Sequence, residues 1–422
     1  MNILFLIIGP VSFREANFTR NFIKQLNGQD HDIRIMSENY TYTYLDLTKN
    51  VKFRSMTDNF DEDQFLDYLE NCEFDLIVAI NFELLLFDDT NLAFKKSYFS
   101  SVDIPIIFLM NNNNLLFKNK TAYLLSAPNK KLQLKSDFSL VKSCPPYIPD
   151  MDEQDNKIET FYWKNLEQFA FLNREEAREK LRKNIKVNDG SKIVTLLLDV
   201  EQMFVSRTKG LNYHYVVLLQ CLYKYISNLD IECNIILNIS QISIEQNNPK
   251  VKMFFFGYLK DEDYEQILRA SDIIFTESIA STTLIDSANM KIPVINLKNT
   301  LKFEESEDDE GTFIDILYNF QELTDFANGR VEELLTNCPD SIFPYYAFPN
   351  PAKVNFPDTK VFGNYIFTFA ELFDEKGTTS LIKDLLLNNE VRSEEVYRIE
   401  QYLALRADAL EAQEILESLQ EE

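Results

Sequence analysis

Short apolar runs alternate with amphipathic stretches along most of the chain. Asn2–Ile8 is a near-continuous apolar run, the pattern of a strand covered on both faces. The pattern then predicts a helix through Glu15–Leu26, a strand at His31–Met36 and a helix at Asp63–Asn71. Strands follow at Phe74–Ile80 and Ile104–Met110. This order implies a parallel, doubly wound sheet. From Tyr147 to Phe171 the pattern is irregular, with Pro149 and an acidic stretch, and reads as a linker. A second series begins with a charged helix at Arg174–Lys183, a strand at Lys192–Leu198 and a helix at Tyr213–Leu229. Further strands are expected at Cys233–Leu237, Lys252–Phe256, Asp272–Thr276 and Ile292–Leu297. Helices at Asp261–Ala270 and Thr282–Met290 separate the last three.

The expected fold class is α/β, with two Rossmann-like, doubly wound domains facing across a cleft and a C-terminal helical extension. The expected bounds are 1–165 and 166–345, with a return segment and C-terminal helices over 346–422. Glu304–Glu310 reads as an acidic loop. Ser393–Gln420 reads as one helix with a stripe of Leu405, Ala409, Ala412, Leu416 and Leu419. The stripe is either a seam for a second copy or a partner, or a face that packs on the body, and packing is the preferred reading.

Composition narrows the function. The formal net charge of −25 argues against nucleic acid and anionic lipid as partners. No apolar run is long enough for a membrane span, and the apolar start reads as a buried strand rather than a leader. Cys72, Cys144, Cys221, Cys233 and Cys338 are scattered without a CxxC pair, and His31 and His214 are the only histidines. No metal site is therefore expected, and the chain is expected in a reducing compartment, the cytoplasm. Cys221 and Cys233 are expected on a buried helix and strand. His31 reads as a packing or capping residue, and His214 as no closer than a second layer around a site. The dinucleotide fingerprint GxGxxG is absent from both halves, which argues against a nicotinamide or flavin dehydrogenase.

Ligands of open α/β sheets bind at the C-terminal strand edges, and in the second half three loops lie there. The loop after Lys192–Leu198 carries Arg207 and Lys209. The next is Gly257, Tyr258 and Leu259. The third opens a helix with Ser281, Thr282 and Thr283, whose hydroxyls add to the free N–H groups of the helix start, a phosphate site without a basic patch. Asp286, about one turn in, can accept hydrogen bonds from vicinal hydroxyls such as those of a ribose. The plainer alternative is a helix cap followed by an acid favoured by the helix dipole. On the first half, Ser12 and Arg14 lie in the loop after the first strand. Arg14 either holds a ligand anion or lies on the surface. Glu15 is either a general base for a ligand hydroxyl or a first-turn acid. Asn81 and Asn111 follow later strands and are either readers of ligand hydroxyls or turn residues.

The stretch VKMFFFGYLKDEDYEQILRASDIIFTESIASTTLIDSANMKIPVINL resembles the donor half of GT-B glycosyltransferases. REEAREKLRKNIKVNDGSKIVTLLL is similar to the entry into that half, and the N-terminal strand–loop–helix–strand to the acceptor half. The resemblance implies GT-B architecture, with residues 1–165 on the acceptor side and 166–345 holding a nucleoside-diphosphate sugar. It implies that Asp286, seven positions before Pro293, contacts the ribose and that Ser281, Thr282 and Thr283 meet the diphosphate. It further implies that Gly257, Tyr258 and Leu259 meet the base, and that Arg207 and Lys209 add phosphate contacts. The nucleotide sugar would be a donor substrate, with no tightly bound cofactor and no metal required. One departure is plain. Glu277 stands nine residues before Asp286, and Ser278 occupies the place of the family's other glutamate. The expected function is sugar transfer to an acceptor. The alternative is a catalytically inactive relative that serves as a binding or scaffolding partner.

Overall fold

The structure is a computed structural model. It describes the chain apart from residues 9–12, 27–30, 39–50, 57–60, 81, 88–93, 111–114, 119, 125–126, 144–159, 164–172, 186–187, 189, 199–212, 240–241, 258, 260, 277–281, 309–310, 338–366, 405–408 and 421–422. The chain divides into two compact units. Unit 1 comprises Met1–Glu167, Val354–Pro357 and Leu405–Glu422, and unit 2 comprises Gln168–Lys353 and Asp358–Ala404.

Unit 1 contains strands β1 (Asn2–Ile7), β2 (Asp32–Glu38), β3 (Val51–Met56), β4 (Leu76–Ile80) and β5 (Ile106–Met110). They are followed by β6 (Leu115–Lys118), β7 (Thr121–Leu124), β8 (Ala127–Gln133), β9 (Phe138–Ser143) and β10 (Thr160–Trp163). Its helices include α1 (Phe13–Gln25), α2 (Glu62–Cys72) and α3 (Lys96–Ser101). The main sheet is seven-stranded and parallel throughout, in the order β10-β9-β5-β4-β1-β2-β3. Strands β6, β7 and β8 form a separate antiparallel sheet. The central strands β1 and β4 are apolar because helices cover both sheet faces, and their side chains divide into two cores.

Unit 2 contains α4 (Arg174–Ile185), β11 (Lys192–Leu197), α5 (Tyr213–Ser227), β12 (Cys233–Leu237) and β13 (Val251–Phe255). Then come α6 (Asp261–Ala270), β14 (Ile273–Thr276), α7 (Thr282–Asn289) and β15 (Val294–Lys298). The unit continues with β16 (Lys302–Asp308), β17 (Gly311–Leu317), α8 (Asp325–Asn337), β18 (Thr368–Glu371), α9 (Glu375–Leu387) and α10 (Asn389–Ala404). Its six-stranded sheet, β13-β12-β11-β14-β15-β18, is again all parallel. Counting outward from β13, unit 2 shows the 3-2-1-4-5-6 order of a dinucleotide-type sheet, and unit 1, counted from β3, shows the same order with β10 added as a seventh strand. The doubly wound expectation thus holds in both units. Cys221 in α5 and Cys233 in β12 are buried as expected, and burial holds the Cys221 thiol up at about 12.

Three expectations are corrected. The acidic 304–310 stretch is not a loop throughout, because Lys302–Asp308 is a strand paired antiparallel with Gly311–Leu317. Its charge misled, since a strand needs backbone partners and the facing strand is rich in β-formers. The linker contains β10, whose Trp163 is fully buried. Ser393–Gln420 is not one helix. Asn389–Ala404 belongs to unit 2, and α11 (Ala412–Gln420) belongs to unit 1. The new start has a local cause: Glu414 reaches back to accept the Glu411 backbone N–H at 2.7 Å, half of a capping box. The α11 face formed by Ala412, Ile415 and Leu416 is buried in the core with Trp163, Phe22 and Ile23. Leu405 lies outside the described residues.

Gln25 ties this helix down. Its Oε1 accepts the indole N–H of Trp163 and the backbone N–H of Ala412, each at 2.8 Å. His31 stands beside the same helix, 3.4 Å from Gln413 Oε1. Replacing Gln25 by Ala leaves a buried indole donor without its acceptor. We expect a loss of about 1–3 kcal/mol of stability. The emission of the single tryptophan should shift to the red before or with the main transition. An unchanged melting temperature with unchanged fluorescence would refute this assignment.

Candidate functional site

Both sheets reverse their strand order at one point, between β1 and β4 and between β11 and β14. Chain leaving neighbouring strands there departs in opposite directions, and the gap at the carboxyl ends accepts ligands. In unit 2 the chain after β14 enters α7, so that helix presents its N-terminus at the reversal. The free N–H groups of a helix start favour an anion.

Asp286 lies in α7, nearly buried, and accepts a hydrogen bond from Tyr264 Oη at 2.9 Å. Tyr264 belongs to α6, so the preceding helix aims this carboxylate. Sequence reasoning missed Tyr264, because it lies 22 positions away on another helix and meets Asp286 only in the folded chain. The helix ends where Lys291 turns to φ 56, with Met290 N–H bonded to Asp286 O.

Beneath this edge lies a polar pair. Side chains along a strand alternate between faces, and Phe275, Ile295 and Leu297 face the large core shared with α5, α8 and α9. Thr276 and Asn296 therefore share the opposite face, and they are direct partners in the register of β14 and β15. Asn296 is fully buried, and neither its Nδ2 nor its Oδ1 has a hydrogen-bond partner among the described residues. The signal was visible as a lone polar residue inside the apolar PVINL strand.

On the β13 side, Gly257 holds φ +65, a left-handed conformation that favours glycine, and its N–H bonds to Ile239 O at 3.1 Å. Leu259 is buried. At the end of β11, Asn238 clamps the Leu198 backbone, accepting its N–H at 2.9 Å and donating to its carbonyl at 3.0 Å. These contacts hold the ends of β11, β12 and β13 in place.

The structure thus brings Gly257, Leu259 and Asp286 to unit 2. Thr282 and Thr283 open α7, with their side chains outside the description. Arg207, Lys209, Tyr258 and Ser281 lie outside the described residues. In unit 1, α1 follows β1 at the other reversal and carries Arg14 and Glu15 in its first turn, their side chains likewise not described. Ser12, Asn81 and Asn111 lie outside the described residues. His214 is buried at the start of α5 with its ring edge-on to Tyr215. Among the described residues, no group of three or more His, Cys, Asp or Glu side chains is placed to hold a metal ion. No described helix is long and apolar enough to cross a membrane.

Solved structures share this architecture over the whole chain. Spinosyn rhamnosyltransferase SpnG matches with a TM-score of 0.53 and 10% identity, covering 100% of both chains. MurG of Acinetobacter baumannii matches at 0.51 and 10% identity, covering 100% of this chain and 99% of that one. Glycosyltransferase VinC, solved in complex with dTDP, matches at 0.50 and 10% identity with the same coverage. At such identity the likeness is one of fold, and the fold is that of the GT-B glycosyltransferases. The chain belongs to the family of unknown function DUF6365, which matches residues 24–421. No curated protein matches it.

The buried amide yields a prediction. Asn296→Leu replaces two unsatisfied polar atoms with a side chain of similar size. It should raise stability by about 1 kcal/mol or more in ligand-free protein. A loss of stability in thermal or urea unfolding would mean that the amide is already satisfied.

Proposed function

We propose that this protein is a glycosyltransferase that takes a sugar from a nucleoside-diphosphate donor bound on unit 2 and delivers it to an acceptor bound on unit 1. One observation carries the reading: Asp286, held by Tyr264, sits in the helix that opens at the strand reversal of unit 2. That is where a ribose would meet a carboxylate and a diphosphate would meet free N–H groups. The dTDP of VinC supports a nucleoside diphosphate as the ligand class.

The residues then take distinct roles. Asp286 accepts the ribose hydroxyls, and Tyr264 keeps its carboxylate turned toward them. Ser281, Thr282 and Thr283, with the helix start, hold the diphosphate as it departs, and Arg207 and Lys209 add charge there. Tyr258 and the backbone from Gly257 to Leu259 border the base. Ser12, Arg14, Asn81 and Asn111 meet the acceptor, and Glu15 removes the proton from its attacking hydroxyl. The sugar's anomeric carbon gains a bond to that oxygen as its bond to the diphosphate breaks. No metal enters this scheme. We place the reaction in the cytoplasm.

Calorimetry with several nucleoside diphosphates tests the donor half. Asp286→Ala should weaken binding by about 1.5–3 kcal/mol, roughly 10- to 150-fold. Lys209→Ala should weaken diphosphates more than the bare nucleoside, and more at low salt. If no nucleoside diphosphate binds at millimolar concentration, the proposal fails.

The acceptor half is separate. Glu15→Gln should leave nucleotide affinity nearly unchanged and lower turnover once an acceptor is in hand, because a base acts on the acceptor. Unchanged turnover would remove Glu15 from the mechanism.

A further inference from the structure

Asp272 lies just before β14, at the amino-terminal edge of the unit 2 sheet, the edge opposite the α7 start. Its side chain is only 5% exposed. Arg174 Nη2 donates to Oδ1 at 2.7 Å. Arg178 Nη2 donates to Oδ2 at 2.5 Å, and the Ile193 backbone N–H reaches the same oxygen at 2.8 Å. These bonds already satisfy the carboxylate. A third arginine nevertheless points at it: Arg392 of α10 brings Nη1 within 3.5 Å of Oδ1.

That third guanidinium is the anomaly. The Arg392 side chain is 20% exposed, yet it makes no side-chain hydrogen bond with any described residue. Arg174, bound to the same oxygen, has its Nε buried without a partner. Three positive groups surround one negative group in a chain of net charge −25. Burial lowers the Arg174 pKa, and Arg178 and Arg392 add to that effect against the pull of Asp272. Two carboxylates of the same helix are engaged elsewhere. Glu395 is held by Arg398 and Thr368, and Glu400 by Lys291. Arg174 and Arg178 also donate to the Ser271 and Ala270 carbonyls at 3.1 and 3.0 Å, so both serve the end of α6 as well as Asp272. Arg392 has no such second bond among the described residues, and adding it to a satisfied carboxylate brings repulsion and desolvation.

We propose that Arg174 and Arg392 form a binding site for a small phosphate-class dianion, with Asp272 and Arg178 as the fixed base that holds the two guanidiniums side by side. Guanidinium forks match the oxygens of phosphate, and two adjacent forks suit a doubly charged ligand better than chloride or a single carboxylate. The ligand is inorganic phosphate or the phosphate monoester of a small metabolite. This site is independent of the donor reading, since it lies at the opposite sheet edge and uses none of the same residues.

The test uses the full chain at constant ionic strength, with inorganic phosphate and glycerol 3-phosphate as separate probes in calorimetry and thermal unfolding. Saturating nucleoside diphosphate is present in a parallel arm. We expect saturable phosphate binding that persists beside the nucleotide and weakens roughly tenfold or more in Arg392→Gln. Arg392→Lys, which keeps the charge and loses the fork, should fall between. Tighter binding of glycerol 3-phosphate assigns the site to monoesters, and equal or weaker binding assigns it to free phosphate. Without phosphate, Arg392→Gln should be as stable as the parent or more so, because it removes crowding. The proposal is overturned by the absence of saturable binding, by an equal response in Arg392→Gln, or by full competition from the nucleotide. It is also overturned if Arg392→Gln is destabilised in phosphate-free buffer, which would make Arg392 a structural counter-ion.

Discussion

A parallel sheet has no face that it can leave to water, and both units are organised around that demand. Strands β4, β12 and β14 are buried along their whole lengths. Helices must then cover each sheet on two sides, and any polar side chain reaching the interior needs a partner there. Unit 2 meets the second condition at its lower edge with a small network. Thr195 and Ser271 share a hydroxyl–hydroxyl bond of 2.6 Å, and Asn234 donates to Ser191 at 2.7 Å. Among the described residues Asn296 is the exception within that sheet, and it lies toward the edge where ligands of this architecture bind.

The same demand explains how the fold places chemistry. Reactive groups cannot sit in the strands, so they gather where strands stop and the chain turns away. The reversal of strand order supplies one such place in each unit, and a helix begins at each. Asp286 accepts a hydrogen bond from Tyr264 of another helix, so its aim is set in part from outside α7. Gly257 and Asn238 hold the adjoining strand ends by backbone conformation and backbone hydrogen bonds.

Much of this was legible in the chain itself, for a physical reason. Strands buried on both faces are apolar without interruption, so Asn2–Ile7 and Cys233–Leu237 stand out, as do the amphipathic helices between them. Edge strands carry weaker patterns. The edge strands β3 and β10 were not legible because such strands tolerate lysine, threonine and tyrosine, and the inner strand β9 was hidden by the serines and lysine of FSLVKS. The paired strand at Lys302–Asp308 was hidden by its charge, and the break before Ala412 by a capping carboxylate without the usual serine or threonine. Asp286 was singled out through the family resemblance, which implies an acid seven positions before Pro293. Tyr264 and the arginines around Asp272 were not, because they meet only after distant segments pack.

The path of the chain has a consequence for synthesis. Unit 1 begins the chain, yet its core contains Ala412, Ile415 and Leu416, and Gln25 bonds to a residue 387 positions later. The whole of unit 2 is translated between those two points. As it emerges, unit 1 lacks a wall of its core, leaving the apolar side chains around Trp163 and Phe22 uncovered until α11 arrives. The first-made unit is therefore the last completed, and the interval is set by the translation of unit 2. During that interval the nascent chain exposes a surface suited to chaperones or to aggregation, whatever the stability of the finished protein.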